Sequence, residues 1–265
     1  MHPLLNIAVG AARSAGNLIM RHYDRVDELR VHTKQRNDFV TEVDRSAEAR
    51  IIEHIHRANP NHAILGEETG ASGDDEVVWI IDPLDGTTNF LHQFPQFAVS
   101  IGIQVRGKLE HGVVYNPYSQ ELYTASRGAG AALDGRRIRV SRANSLEGAL
   151  IGTGFPFRDD QDVDGYIAMF SEIMRKTAGV RRAGAAALDL AFVAAGRLDG
   201  FWELGLKPWD MAAGIVLVRE AGGMVGEMSG RGDPMNSGNI VVGNPKVYEA
   251  LGGTIMRHLR TKKPS

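Results

Sequence analysis

The sequence predicts a layered α/β fold, and three observations predict it. Residues 3–23, and the stretch from near Asp44 to Pro60, carry apolar residues at helical spacing. Between residues 63 and 126 the apolar residues fall in short runs divided by turn formers. Beyond residue 150, helical and strand-like segments alternate, as they do when sheets and helices stack in layers.

Each element follows from its residues. Leu4, Leu5, Ala8, Ala11, Ala12, Ala15, Leu18 and Ile19 share one face of the first helix. The polar segment RVDELRVHTKQRND separates it from a second helix. There Ala47, Ile51, Ile52 and Ile55 line a face and Pro60 ends the run. AIL (63–65), VVWII (77–81), FAVSIGIQV (97–105), LEHGVVY (109–115) and ELYTAS (121–126) read as strands. Gly107-Lys108 and Asn116-Pro117 read as the turns of a meandering sheet. Helices over roughly 160–176, 185–196, 210–222 and 245–259 then alternate with strands near 149–152, 199–204 and 239–243. No repeat or linker divides the chain, so residues 1–265 read as one domain with a soft sub-domain boundary near 145.

Composition narrows the function. A net charge of −2 supplies no basic field for nucleic acid or an anionic membrane. The absence of cysteine excludes disulfides, thiolate zinc sites and a cysteine nucleophile. The start MHPLLNIAVGAARSAG lacks the basic n-region of a signal peptide, and no run approaches the ~20 apolar residues of a membrane span. A soluble, cytoplasmic protein is expected. The nine histidines are scattered, and His54 and His56, two apart on a helix, do not share a face, which argues against zinc. No strand-G-x-G-x-x-G-helix pattern points to a dinucleotide.

The chemistry concentrates in VVWIIDPLDGTTNF. A buried strand ending at Ile81 would present Asp82 and Asp85 where the chain leaves the sheet. Two carboxylates held close there repel one another and lose solvation, so a proton or a cation must come between them. Mg²⁺ prefers such oxygen ligands and completes its shell with water and phosphate oxygens. Gly86 lets the backbone approach an anion, and Thr87, Thr88 and nearby amides can donate to it. Asp44, Glu67 with Glu68, and Asp210 are further carboxylates at element ends, the pattern of a multi-metal site. The same residues also suit ordinary turns and an N-cap, and sequence spacing does not show that they converge.

GEE (66–68), WIIDPLDGTTNF (79–90) and WDMAAG (209–214), in that order, resemble the inositol monophosphatase family. FVTEVD (39–44), EAGG (220–223) and GNIVVGNP (238–245) fit the same pattern. MHPLLNIAV and TGFPFR (153–158) are similar to its bacterial SuhB-type branch. The resemblance implies an αβαβα sandwich and a phosphatase that hydrolyses inositol 1-phosphate, with two or three Mg²⁺ per site. It implies that Glu67, Asp82 and the Leu84 carbonyl hold a first ion, and Asp82, Asp85 and Asp210 a second. It further implies that Glu67, Thr87 and Asp44 manage the attacking water. Gly184, Ala185 and Glu203 would face the sugar, and Asp85, Gly86, Thr87 and Thr88 the substrate phosphate. Lys34 falls in a segment that is a lid in relatives, although its spacing to Asp44 differs. Ala185 stands where relatives carry a small hydroxyl residue.

Lithium inhibition and a homodimer are further implications. Fructose bisphosphate and 3′-phosphoadenosine phosphate, substrates of distant relatives, are the alternatives within the class. A different class also fits the resemblance: transcription antitermination with NusA and RNA polymerase, with phosphatase activity secondary. Haloacid dehalogenase phosphatases use D-x-D followed by Thr, and D-x-x-D-G-T departs from that spacing.

Overall fold

The computed structural model describes residues 2–29, 31–35, 38–156 and 162–259. Helices α1 (Pro3–Tyr23) and α2 (Glu42–Ala58) pair with each other, joined by a short 3₁₀ turn and a hairpin of strands β1 (Val31–Gln35) and β2 (Asp38–Thr41). The larger sheet has eight strands: β3 (Ala63–Gly66), β4 (Gly70–Ser72), β5 (Val77–Asp85), β6 (Ala98–Val105), β7 (Lys108–Asn116), β8 (Glu121–Ser126), β9 (Gly130–Leu133) and β10 (Arg136–Arg137). Their order is β10-β9-β8-β7-β6-β5-β3-β4, antiparallel except where β3 pairs with β5. The short helix α3 (Thr87–Leu91) follows β5.

The second half builds a five-stranded sheet in the order β12-β11-β13-β15-β14. Its strands are β11 (Leu150–Thr153), β12 (Gly179–Arg181), β13 (Gly200–Glu203), β14 (Met224–Glu227) and β15 (Ile240–Gly243). Interleaved with them are α4 (Val163–Lys176), α5 (Ala186–Ala194), α6 (Pro208–Glu220), α7 (Pro234–Ser237) and α8 (Pro245–Met256).

The layers run α1/α2, large sheet, α5/α6, small sheet, α4/α8, which is the αβαβα sandwich. Three apolar cores fill the gaps. Ile51, Trp79, Ile101 and Val113 lie between α1/α2 and the large sheet; Leu190, Phe201, Leu217 and Val242 lie around α5/α6; Tyr166, Trp202 and Leu251 lie under α4/α8. Residues 211–218 of α6 are buried on every side because a sheet covers each face.

Close approach of α6 to the large sheet requires glycine. Gly102 of β6 and Gly112 of β7 are direct cross-strand partners. A methyl on Gly102 would lie 2.6 Å from the Ala212 Cβ, and one on Gly112 would lie 2.5 Å from the Ala213 carbonyl oxygen. This pair of glycines is the saddle on which the first turns of α6 sit.

Two expectations change. The strand of VVWII does not stop at Ile81 but continues through Asp82-Pro83-Leu84 to Asp85. Beyond Ile81 the β3 neighbour has ended, and the register to β6 shifts between Asp82 and Asp85. A strand edge with a bulge accommodates Pro83, which has no N–H to give. Likewise α6 begins at Pro208, so Asp210 lies within the first turn rather than ahead of the helix. The fold also includes β9, β10, β12 and β14, which are too short and too weakly apolar to stand out in the sequence.

Candidate active site

The acidic residues meet at the C-terminal end of β5. Parallel pairing sets Gly66 beside Ile81, and the Glu67 N–H donates to the Ile81 carbonyl at 3.1 Å. That registers Glu67 next to Asp82, and the two side chains share a hydrogen bond. Across β6, Ser100 pairs with Asp82 and donates its hydroxyl to the Trp209 carbonyl at 3.2 Å, tying the start of α6 to the same spot. Asp210 follows in the next position.

Each of four aspartates is aimed by a backbone amide. Asp82 accepts from Leu84 N–H at 3.0 Å, and Asp85 from Ala187 N–H in the first turn of α5 at 2.7 Å. Asp44 and Asp210 each occupy the third position of a helix and reach back to its first residues, to Thr41 N–H at 2.8 Å and Lys207 N–H at 2.6 Å. These are capping interactions, favourable at a positive helix end, and here they also orient the carboxylates. The Thr41 hydroxyl adds a second bond to Asp44 at 2.6 Å. The other Asp44 oxygen accepts the Thr87 hydroxyl at 2.9 Å, and Thr87 also lies 3.1 Å from the Leu84 carbonyl.

The electrostatics are those of crowded anions. Burial first, then the charges of Glu67, Asp85 and Asp210, hold the Asp82 carboxyl well above the usual range. Burial and Asp210 do the same to Asp85, with Glu203 and Asp189 adding to it and the Ala187 amide opposing it. Asp44 is raised by burial and partly offset by its hydrogen bonds.

The substrate-side positions border this cluster. Gly86 starts α3 with φ +90°, and a side chain there would press within 2.8 Å of the Gln96 carbonyl and 3.3 Å of the Ala185 Cβ. Gly184, at φ +84°, abuts the Arg182 guanidinium and Asn89. Asn89 clamps this corner by donating to the Gln96 carbonyl at 2.7 Å and the Ala183 carbonyl at 2.8 Å. The Glu203 carboxylate packs directly on the α-carbon of Gly154. Thr88 is exposed on the first turn of α3. Lys34 has its backbone in β1, and its side chain lies outside the described residues, as do Phe157 and Arg158 of the TGFPFR segment.

Ala185 is the N-cap of α5 and supplies no side-chain acceptor to it. Ala185→Ser is expected to stabilise the fold by about 1 kcal/mol in chemical denaturation, because serine can accept one of the first-turn amides. It is also expected to change KM for a phosphate ester more than kcat, since no carboxylate is touched.

Asp189 is a site residue that the motif spacing gave no reason to select. It is buried on α5, its Oδ1 has no hydrogen-bond partner among the described residues, and burial, then Glu203, raises its carboxyl well above the usual range while Arg182 opposes this. Such an acid binds more protons folded than unfolded, so its stabilising contribution below the unfolded pKa is lost as pH rises through the folded value. Asp189→Asn is therefore expected to raise Tm at pH 8 and to change it little at pH 5.

A divalent cation fits the donor chemistry. Glu67, Asp82, Asp85 and Asp210 bring carboxylate oxygens from three different segments, the end of β3, β5 and α6, and a cation would relieve the repulsion that burial amplifies. Among the described residues no group of three or more His, Asp or Glu side chains is arranged so that it could hold a metal ion as it stands, so the carboxylates are neighbours rather than a finished coordination shell.

Comparison with known proteins agrees with this architecture. The model of the "Inositol monophosphatase family" matches residues 1–262. The "Nus factor SuhB" of Pseudomonas aeruginosa is 57% identical over 265 residues, 98% of each chain. The structure of "extragenic suppressor protein suhB" from Bartonella henselae superposes with a TM-score of 0.94 at 44% identity, covering 97% of this chain and 100% of that one. The structure of inositol monophosphatase from Anabaena (Nostoc) sp. PCC 7120 superposes with a TM-score of 0.86 at 39% identity, covering 96% and 95%. The carboxylate cluster at the end of β5 and these likenesses agree, and the chain belongs to the inositol monophosphatase family.

Proposed function

We propose that the protein hydrolyses inositol 1-phosphate to inositol and inorganic phosphate by direct attack of water, and that it depends on Mg²⁺. The observation that carries this reading is the meeting of Glu67, Asp82, Asp85 and Asp210 beside the Thr87–Asp44 hydrogen bond. Glu67, Asp82 and the Leu84 carbonyl would hold one ion, and Asp82, Asp85 and Asp210 another. Bound there, Mg²⁺ supplies charge neutralisation, a more acidic water and support for the leaving alkoxide.

The chain's own residues then have distinct tasks. The one hydroxyl hydrogen of Thr87 is directed at Asp44 and the Leu84 carbonyl, so toward a water Thr87 acts as an acceptor. Burial raises Asp44, which suits a carboxylate that draws a proton through Thr87 as the water oxygen bonds phosphorus and the bond from phosphorus to the inositol oxygen breaks, that oxygen leaving with a proton from solvent water. Glu67 orients that water. The amides at Gly86, Thr87 and Thr88 and the Thr88 hydroxyl take phosphate oxygens, and Glu203 accepts hydrogen bonds from ring hydroxyls beside Gly184 and Ala185.

Phosphate release from inositol 1-phosphate, with and without Mg²⁺, tests this beside fructose 1,6-bisphosphate and 3′-phosphoadenosine 5′-phosphate. Inositol 1-phosphate should give the highest kcat/KM, only with Mg²⁺, and Li⁺ should inhibit. No turnover of inositol 1-phosphate in Mg²⁺ overturns the reading.

A second reading, transcription antitermination with NusA and RNA polymerase, is favoured by the name of the Pseudomonas relative. Co-purification with these partners that persists in a catalytically dead variant supports it; their absence with RNA present contradicts it. Either reading places the protein in the cytoplasm, and among the described residues no helix is long and apolar enough to cross a membrane. A homodimer accords with the exposed Val163, Ile167 and Met174, which share a face of α4. Mass in solution decides that point.

A further inference from the structure

Helix α2 carries a second buried carboxylate, one turn beyond Asp44 and on the same face. Glu48 is 0% exposed, and no motif singles it out. Its two oxygens accept from consecutive backbone amides, Glu68 N–H at 3.0 Å and Thr69 N–H at 2.8 Å. Its carboxylate also fills the space over Gly66, where a methyl would lie 2.6 Å from one oxygen and 2.8 Å from the other. With the Glu67 N–H given to Ile81, three successive amides after β3 are fixed, the first by the strand that bears Asp82 and the next two by Glu48.

We infer that Glu48 is a positioning residue that holds the Glu67 carboxylate toward the cation site. This rests on the reading that Glu67 binds Mg²⁺. The turn after β3 has its first residue facing Asp82 and its next two amides facing Glu48, so the turn cannot rotate without breaking two bonds to a buried carboxylate. The cost of leaving that carboxylate or those amides unpaired is what fixes the direction of Glu67. One face of α2 thus sets both halves of the site: Asp44 sets Thr87, and Glu48 sets Glu67. Groups that orient a metal ligand in this way typically change metal affinity by about 10- to 100-fold when replaced.

The test is calorimetric titration of the full chain with Mg²⁺ alone, for wild type, Glu48→Gln, Glu67→Gln and the double variant. Glu48→Gln is expected to raise the dissociation constant by about tenfold with a cooperative melt retained. The double variant is expected to bind no more weakly than Glu67→Gln, because Glu48 acts through Glu67. Unchanged affinity in Glu48→Gln, or losses that simply add in the double variant, overturns the inference while leaving the metal reading intact. Unchanged affinity in Glu67→Gln overturns the reading of Glu67 itself, and the inference with it. Should Glu48→Gln not fold, Glu48→Asp keeps the charge on an arm one methylene shorter. It is expected to weaken binding in the same direction, and unchanged affinity there overturns the inference equally.

Discussion

Asp85→Asn is expected to lower kcat roughly 10²- to 10³-fold at saturating Mg²⁺, the several kcal/mol that a correctly held Lewis acid supplies. The substitution keeps an oxygen that can accept from Ala187 N–H, now at 2.7 Å from the carboxylate, so the start of α5 should remain in place. What is lost is one negative charge beside Asp210 and Asp82. Without metal that loss relieves repulsion in a buried site, so Tm in chelator should rise. With Mg²⁺ the gain in Tm should shrink, because a ligand charge is missing. A raised Tm in chelator together with a smaller gain on adding Mg²⁺ separates a metal ligand from a structural residue, whose replacement would lower Tm in both conditions. Activity and Mg²⁺ dependence equal to wild type would contradict the assignment.

Gly112→Ala is expected to cost about 3 kcal/mol, at the upper end for overpacking, because the atoms it meets are backbone. The new methyl would lie 2.5 Å from the Ala213 carbonyl oxygen and 3.0 Å from its Cα. A side chain could swing aside, but α6 can only lift. Lifting it carries Asp210 away from Asp82, and the Ser100–Trp209 bond with it. Chemical denaturation should therefore show the lost stability, and titration should show weaker Mg²⁺ binding, although Gly112 touches no carboxylate. Stability loss with unchanged Mg²⁺ affinity would show that the glycine saddle is packing alone.

The two variants mark what the sequence disclosed. The helices α1 and α2 were legible because each has one apolar stripe against one sheet. The D-x-x-D-G-T run was legible because its residues are local. The partners of those residues were not. Asp44 and Thr87 are 43 positions apart, and Asp85 and Ala187 are 102 apart. Gly102 and Gly112 look like ordinary strand glycines until pairing sets them opposite one another. The VVWII strand read as ending at Ile81, and only the loss of the β3 neighbour there shows why β5 can pass on through Pro83. Glu48 reads as one more polar residue on a helix, since its partners are backbone amides, which no side-chain pattern reveals.

The most direct test is a crystal structure with Mn²⁺ as an anomalous stand-in for Mg²⁺. Anomalous peaks are expected on both sides of Asp82, one bounded by Glu67 and the Leu84 carbonyl and the other by Asp85 and Asp210. No peak at this cluster, from crystals in which the site is open to solvent, would contradict a metal-dependent phosphatase.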